Sequence, residues 1–547
     1  MTYRIEIEKT GLTTWIATDR LPVGERVVDR CTVEALSAAL RHVDGAEVVS
    51  ATVNDSGVYQ PPEPPPGFLP EGVDMTPLTG LPVFCDVRVL MHGPGGHAAE
   101  KFVWVPLAWN ERFMGTAGGG AFTGPVWLDI PFLRNMTMAH ALRNGFATAA
   151  TDGAVPDWGD LDYPIDPVTG EFDWELVRNW THRSTHDMTI VGKAVTAALH
   201  GRPPRYSYLA GGSGGGRQVL ASAQRYPADY DGLWSVDPAV NWPKVIGAGL
   251  WPALVMKEEG TALPPAKLDA FRSAALEACD GADGVRDGFV GAFEPFDFAP
   301  HTIVGTGTEA GVITDADAEV IRRIWDGPRR TNGERLWYGI RPGVSCWTEI
   351  GLCATVERDG VLVPKPNPGI LAHFRWVTRD RAFDWTSLTY HAFEKLFDQG
   401  AGDFAETSSD EPDLSGLRDS GAKLIISQAT DDEVLPFENS LDYYRRVVDS
   451  MGGLDETTGF ARLFLTDGDV HTFSNGPGPG ISVAAGMVAL MEWVEHGRAP
   501  EMIIAERVDP RTTAVTGTRP AFPYPAVTRY SGSGDPAESA SYLARGL

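Results

Sequence analysis

No apolar run in the chain approaches the ~20 residues that a membrane-spanning helix needs, which argues against a membrane-embedded protein. Positive charge is scarce: 46 Lys and Arg face 73 Asp and Glu, for a net charge of −27. Nucleic acids and anionic membranes are recognised by basic patches, so neither is expected as a partner. The opening residues MTYRIEIEKTG lack a basic stretch followed by an apolar one, and no signal peptide is expected. Cysteine is sparse as well. Cys31, Cys85, Cys279, Cys346 and Cys353 include no CxxC pair and suggest no disulfide framework. These absences lead to the expectation of a cytoplasmic protein. What remains is ordinary for a globular chain, 43% hydrophobic and 22% charged. At 547 residues it exceeds one simple core, so a main domain with a large insertion or second domain is expected.

The most informative stretch runs from Tyr208 to Trp242. An apolar lead (Tyr206, Tyr208, Leu209) enters Gly211-Gly212-Ser213-Gly214-Gly215, and a helical pattern begins at Arg217. This is G-x-S-x-G on a strand-to-helix turn, the nucleophile elbow of α/β-hydrolases. A serine on so sharp a turn needs neighbours without a Cβ. The helix behind it offers free N–H groups where an oxyanion would form. A flexible Gly-Ser linker would not be bracketed by a strand and an amphipathic helix.

Around this point the chain divides as follows. Residues 1–57 read as a small α+β appendage, with strand alternation at Tyr3, Ile5 and Ile7, helical spacing from Val33 to His42 and a strand from Ala46 to Val53. Residues 58–80 form a proline-rich linker. Residues 81–242 alternate strand and helix, which predicts the first part of a doubly wound parallel sheet. Within it, HGPGGHAAE reads as a hairpin turn between two strands, and Phe132–Asn144 as a helix before the strand Phe146–Thr151. Residues 243–420 lose the alternation and read as an inserted lid. Residues 421–547 resume the sheet with KLIIS and RLFL, add a helix over Ile481–His496, and end in a tail expected to wrap the surface. The predicted fold class is therefore α/β, an α/β-hydrolase sheet with a large lid and the N-terminal appendage.

A serine hydroxyl needs an adjacent base, itself oriented by a carboxylate. In this fold the order is serine, acid, histidine. After KLIISQAT comes Asp431-Asp432-Glu433, and spacing alone leaves all three as candidates for the acid. After RLFLTDGDV comes His471, at a strand end and before the last helix. The glycine run 118–120 follows a strand upstream of the elbow, where a second oxyanion N–H should come from. In the insertion, Asp280, Asp283 and Asp287 alternate with glycines in a pattern that suits a hard cation such as calcium, or else a solvated Asp-Gly turn. No organic cofactor is expected.

Taken together, the elbow and its sequel GGSGGGRQ…AQRYPADYDG resemble the tannase/feruloyl esterase family, which includes mono(2-hydroxyethyl) terephthalate hydrolases. So do PVFCDVRV, WNERFMGTAGGG, PDLSGLRDSGAKLI, SLDYY and TRPAFPYPAVTRYSGSGD, a span from about residue 80 to 540. The resemblance implies Ser213, Asp432 and His471 as catalytic residues, selecting Asp432 from its neighbours. It implies oxyanion N–H groups from Gly214 and from Gly119 or Gly120. It further implies a structural lid calcium on Asp280, Asp283, Asp287 and the carbonyls of Val285 and Phe289. The implied activity is hydrolysis of esters of aromatic or phenolic acids through an acyl-enzyme, with amide or C–C bond hydrolysis by the same triad, or a non-catalytic binding protein, as the alternatives. Arg375, Arg379 and Arg381 are candidates to pair with an acidic substrate. Family members usually join a cysteine before the serine to one after the histidine. Gly212 and Thr472 stand there in this chain, and Phe522 replaces the usual tail cysteine, which leaves Cys279 without a partner and fits a reducing compartment. Oligomeric state is not readable.

Overall fold

The computed structural model describes residues 16–24, 26–61, 77–120, 137–155, 160–348, 351–471, 476–509, 512 and 514–546. The expected strand at Tyr3–Ile7, most of the proline-rich linker, the start of the helix at Phe132 and Thr472 lie outside these residues.

Runs rich in Val, Phe, Leu and Ala build the central sheet. Its strands are β1 (Ala46–Asn54), β2 (Phe84–His92), β3 (Ala98–Pro106), β4 (Arg112–Thr116), β5 (Ala147–Thr151), β6 (Tyr206–Gly212), β7 (Gly232–Val236), β8 (Lys423–Ala429) and β9 (Ala461–Thr466). They stand side by side as β1-β2-β3-β5-β4-β6-β7-β8-β9. Neighbours from β5 through β9 are parallel, whereas β1, β2 and β3 pair antiparallel, as does β3 with β5. HGPGGHAAE is the β2–β3 hairpin connection, turning with Gly95 and Gly96 both at φ 77°. Side chains alternate between the two faces with the period of a strand. Leu209, Leu424 and Ile426 enter one buried cluster with helix residues Val191 and Val219. Tyr208, Ala210 and Ile425 enter another with Met487 and Leu490 of the helix Val483–His496. Helices cover both faces, the double winding expected of a parallel sheet.

Three expectations change. The N-terminal segment does contain a helix (Val33–Ala39) and a strand, but it is not an appendage. β1 pairs with β2 from Ala46↔Met91 to Asn54↔Phe84, with a bulge between Val48 and Ser50, so it is the edge of the core sheet itself. An exposed β2 edge would leave its backbone groups unpaired, and β1 supplies the partners. The cysteine reading also needs correction: Cys31 and Cys85 are bonded, with Cα atoms 6.1 Å apart. They lie 54 residues apart in the chain, and the folding of the N-terminal segment onto the edge of the sheet brings them together. The cytoplasmic expectation loses the support it drew from unpaired cysteines. Cys279, Cys346 and Cys353 are free and buried. Finally, the tail does more than wrap the surface. Its hairpin, β10 (Ile503–Val508) and β11 (Val515–Ala521), buries Ile503, Ala505 and Ala521 against Phe464 and Trp493.

The residues between β7 and β8 hold several helices, among them Trp242–Ala248, Trp251–Glu258, Pro265–Cys279, Asp315–Asp326, Pro368–Thr378 and Tyr390–Asp403. They carry their own apolar core, including Trp251, Phe271, Ile321, Phe374, Phe393 and Phe397. A second aromatic cluster joins this insertion to the sheet: Trp242, Trp376 and Phe404 pack with Trp180, Ala239 and Leu435. Leu435 and Ala239 belong to loops beyond the carboxyl ends of β8 and β7, so the insertion sits on the end of the sheet where α/β folds place their ligands.

Candidate active site

Ser213 follows β6 and caps the helix Gly214–Arg225, with φ 58° and ψ −124°. A non-glycine residue in this region is strained and persists only when its surroundings hold it. Here the strand-end segment after β7 does so. Ser213 N–H donates to Val236 O at 2.8 Å, and Ala239 N–H donates to Ser213 O at 3.2 Å. The glycines after the serine permit close backbone approach. A Cβ on Gly214 would stand 2.3 Å from Gly120 O, and one on Gly215 would stand 2.1 Å from Gly118 O. The 118–120 loop therefore lies directly against the elbow. It is anchored by Gln218, whose Oε1 accepts Gly118 N–H at 2.9 Å. The Gly119 Cβ position meets no described atom within 4 Å.

Behind the serine, Arg217 is wholly buried. It donates to the carbonyls of Trp180 and Thr181 and stacks over the Trp180 ring at 4.0 Å. Burial pushes its pKa down to about 9. It fastens the nucleophile helix to the segment that joins the insertion's aromatic cluster.

Across the sheet end, His471 Nδ1 meets Asp432 Oδ2 at 2.8 Å. The other Asp432 oxygen accepts N–H groups of Val434 and Leu435 at 2.9 and 2.8 Å, and Gln428 donates to Oδ2 at 3.2 Å. Its two neighbours are turned elsewhere. Asp431 faces Arg341 at 3.8 Å, while Glu433 accepts the backbone N–H of His471 at 3.1 Å. The imidazole and Asp432 are both buried. Burial lowers the histidine's pKa, but the Asp432 carboxylate, followed by those of Asp237 and Glu433, outweighs it and holds the value at about 9. The Asp432 bond occupies Nδ1 and leaves Nε2 as the nitrogen for a serine proton. The sequence does not mark Gln218, Gln428 or the Glu433 contact to His471. For Asp237 a signal existed: an acid at the carboxyl end of the strand that follows the nucleophile helix.

The insertion's Asp-Gly loop is closed by its own side chains. Asp280 accepts N–H groups of Asp287 and Gly288 at 3.2 and 2.9 Å, and Asp283 accepts Val285 N–H at 3.1 Å. Arg519 of β11 reaches Asp287 at 2.7 Å and Asp283 at 3.1 Å while stacking over Phe289 at 4.9 Å. Asp287 Oδ1 is buried without a hydrogen-bond partner, and burial pushes the Asp287 pKa up to about 7. The three lid arginines are engaged within the protein. Arg375 pairs with Asp162 and Arg381 with Asp160, both at 2.7 Å, and Arg379 lies over Phe172 at 3.7 Å. They brace the insertion against residues 160–174.

An elbow serine in strained backbone, a buried Asp–His pair beyond later strands and a glycine loop beside the elbow define an α/β-hydrolase of the serine type. The family model of tannase and feruloyl esterase matches residues 97–544. The chain is 35% identical over 503 residues to a probable feruloyl esterase of Arthroderma benhamiae, covering 90% of this chain and 89% of the other. It is 30% identical over 534 residues to the mono(2-hydroxyethyl) terephthalate hydrolase of Piscinibacter sakaiensis, covering 84% and 85%. Among solved structures, the tannin acyl hydrolase from Aspergillus niger shares the fold with a TM-score of 0.79 at 19% identity, over 96% of each chain. The chain belongs to the tannase and feruloyl esterase family and is a carboxylic ester hydrolase.

Proposed function

We propose that the chain cleaves esters of aromatic or phenolic carboxylic acids through an acyl-enzyme on Ser213. The observation that carries this reading is the Nδ1–Asp432 bond of His471, set beyond the sheet end that also carries the strained serine. His471 Nε2 takes the serine proton as Oγ attacks the ester carbonyl. The tetrahedral oxyanion forms beside the N–H of Gly214 and of Gly119 or Gly120, in a position that removes no water shell at the moment of reaction. Collapse expels the alcohol, which receives the proton from His471. Water, deprotonated by the same nitrogen, then attacks the acyl carbon, the bond to Ser213 Oγ breaks, and His471 returns the proton to Oγ as the acid leaves. Asp432 keeps the imidazole in the required tautomer throughout.

The names of the relatives support an aromatic substrate. The relatives are named for feruloyl and terephthalate esters. The test is a panel of methyl ferulate, methyl gallate, a terephthalate monoester and a short p-nitrophenyl ester, run with wild type and Ser213→Ala. Serine-dependent preference for one aromatic ester is expected. Cleavage of the activated ester alone would sink the aromatic reading, and turnover by Ser213→Ala would sink the nucleophile.

We also propose that Asp280, Asp283 and Asp287, with the carbonyls of Val285 and Phe289, hold a calcium ion. The buried, unpartnered Asp287 Oδ1 supports this, as does the surplus of carboxylates over the single Arg519 guanidinium. Calcium there would tie the insertion to the tail and take no part in the chemistry. Chelation should lower Tm, and added calcium should restore it; a Tm indifferent to both would remove the proposal.

A further inference from the structure

The proposed mechanism leaves one buried acid beside the histidine unused. Asp237 follows β7, is 1% exposed, and sits at φ 41° before Pro238. Its position joins all parts of the site. Val236 just before it and Ala239 two residues after it clasp the Ser213 backbone. Its own N–H donates to Ser427 O at 2.8 Å, and its Oδ1 accepts Ala429 N–H at 2.7 Å, so it zips the ends of β7 and β8. One oxygen of Asp237, one of Asp432 and one ring nitrogen of His471 lie within 4.8 Å of one another.

We propose that Asp237 is a second positioning carboxylate for His471, holding the imidazolium that forms during catalysis from the side of β7 while Asp432 holds it from the side of β8. This rests on the serine-hydrolase reading above. A carboxylate within ~4–6 Å of an ionisable group of opposite charge stabilises its charged form, more strongly where water is excluded. The cost of burying two acids close together is offset when the imidazole beside them is cationic. The acids face His471 from two elements: Asp432 and Glu433 after β8, and Asp237 after β7. Of the other acids nearby, Asp431 faces Arg341, and Asp469, on the histidine's own loop, accepts from Thr466 Oγ1 and Val470 N–H. Asp237 thus reaches the histidine from the strand between the one that carries the nucleophile and the one that carries Asp432.

The test compares the pH dependence of kcat/KM for wild type, Asp237→Asn, Asp237→Glu, Asp432→Asn and the double Asn variant, with Ser213→Ala as the inactive reference. Asn retains the acceptor for Ala429 N–H, and Asp237→Ser is a second uncharged variant should Asn disturb the strand end. Removing the Asp237 charge should move the acidic limb down by ~1 pH unit or more, and Glu should return it towards wild type. Adding Asp237→Asn to Asp432→Asn should cost at least a further ~10-fold in kcat, because the remaining carboxylate no longer holds the ring. An acidic limb that stays in place in both uncharged variants overturns the proposal, since a purely structural acid would change stability without moving the titration. Turnover by Ser213→Ala would instead overturn the triad reading itself.

Discussion

The serine end and the histidine end of this site are built by different means. At the serine end, a few contiguous residues do the work through backbone geometry: a strained serine, glycines that admit the 118–120 loop, and the first turn of a helix. At the histidine end, side chains from separate segments converge on one ring: Asp432 and Gln428 through the acid, Glu433 through the backbone N–H, and Asp237 from the neighbouring strand. Backbone geometry is encoded locally, whereas a convergent network exists only once the sheet has formed. The first should fail through steric clash and the second through charge.

That contrast can be broken from either side. Asp432→Asn should lower kcat by about 10⁴-fold with little change in KM, because the ring loses its tautomer control. Steady-state kinetics on an aromatic ester reads this directly. Gly215→Ala should cost about 10²–10³-fold, as a Cβ forced against Gly118 O pushes the oxyanion loop off the elbow. A near-normal kcat in that variant would mean that the loop does not serve the oxyanion. The charge at the histidine end makes a pH prediction. His471 acts as a base only when unprotonated, and its pKa is held at about 9. Activity should therefore be present above that value and fall by ~10-fold per pH unit below it in kcat/KM. A limb near pH 6.5 would show that the carboxylates do not dominate the ring.

Smaller effects sharpen the comparison further. Gln218→Ala frees Gly118 N–H and should lower kcat by ~10-fold while Tm changes little, a loss of positioning rather than of fold. Cys31→Ser lies outside both ends. It should remove about 2–4 kcal/mol of stability, read by denaturant unfolding, and leave kcat unchanged.

The sequence by itself determined the fold class, the elbow and the order of the catalytic groups. Each of these follows from local rules: glycines where a backbone must approach, strand runs with period two, and an acid and a histidine at successive strand ends. It also pointed to the Asp-Gly loop through the spacing of Asp280, Asp283 and Asp287. Only the tertiary structure decided which side chain faces which. Asp431, Asp432 and Glu433 are adjacent and alike, yet the turn after β8 sends one to Arg341, one to the imidazole and one to the histidine backbone. Cys31 and Cys85 meet only because the N-terminal segment folds onto the sheet edge, where β1 pairs with β2. Arg519 reaches an aspartate loop more than two hundred residues away because the tail hairpin packs beside it. Asp237 gains its place at the histidine from the parallel pairing of β7 with β8. Local geometry is written in neighbouring residues; long-range contacts depend on burial and strand register, which no short stretch of chain contains.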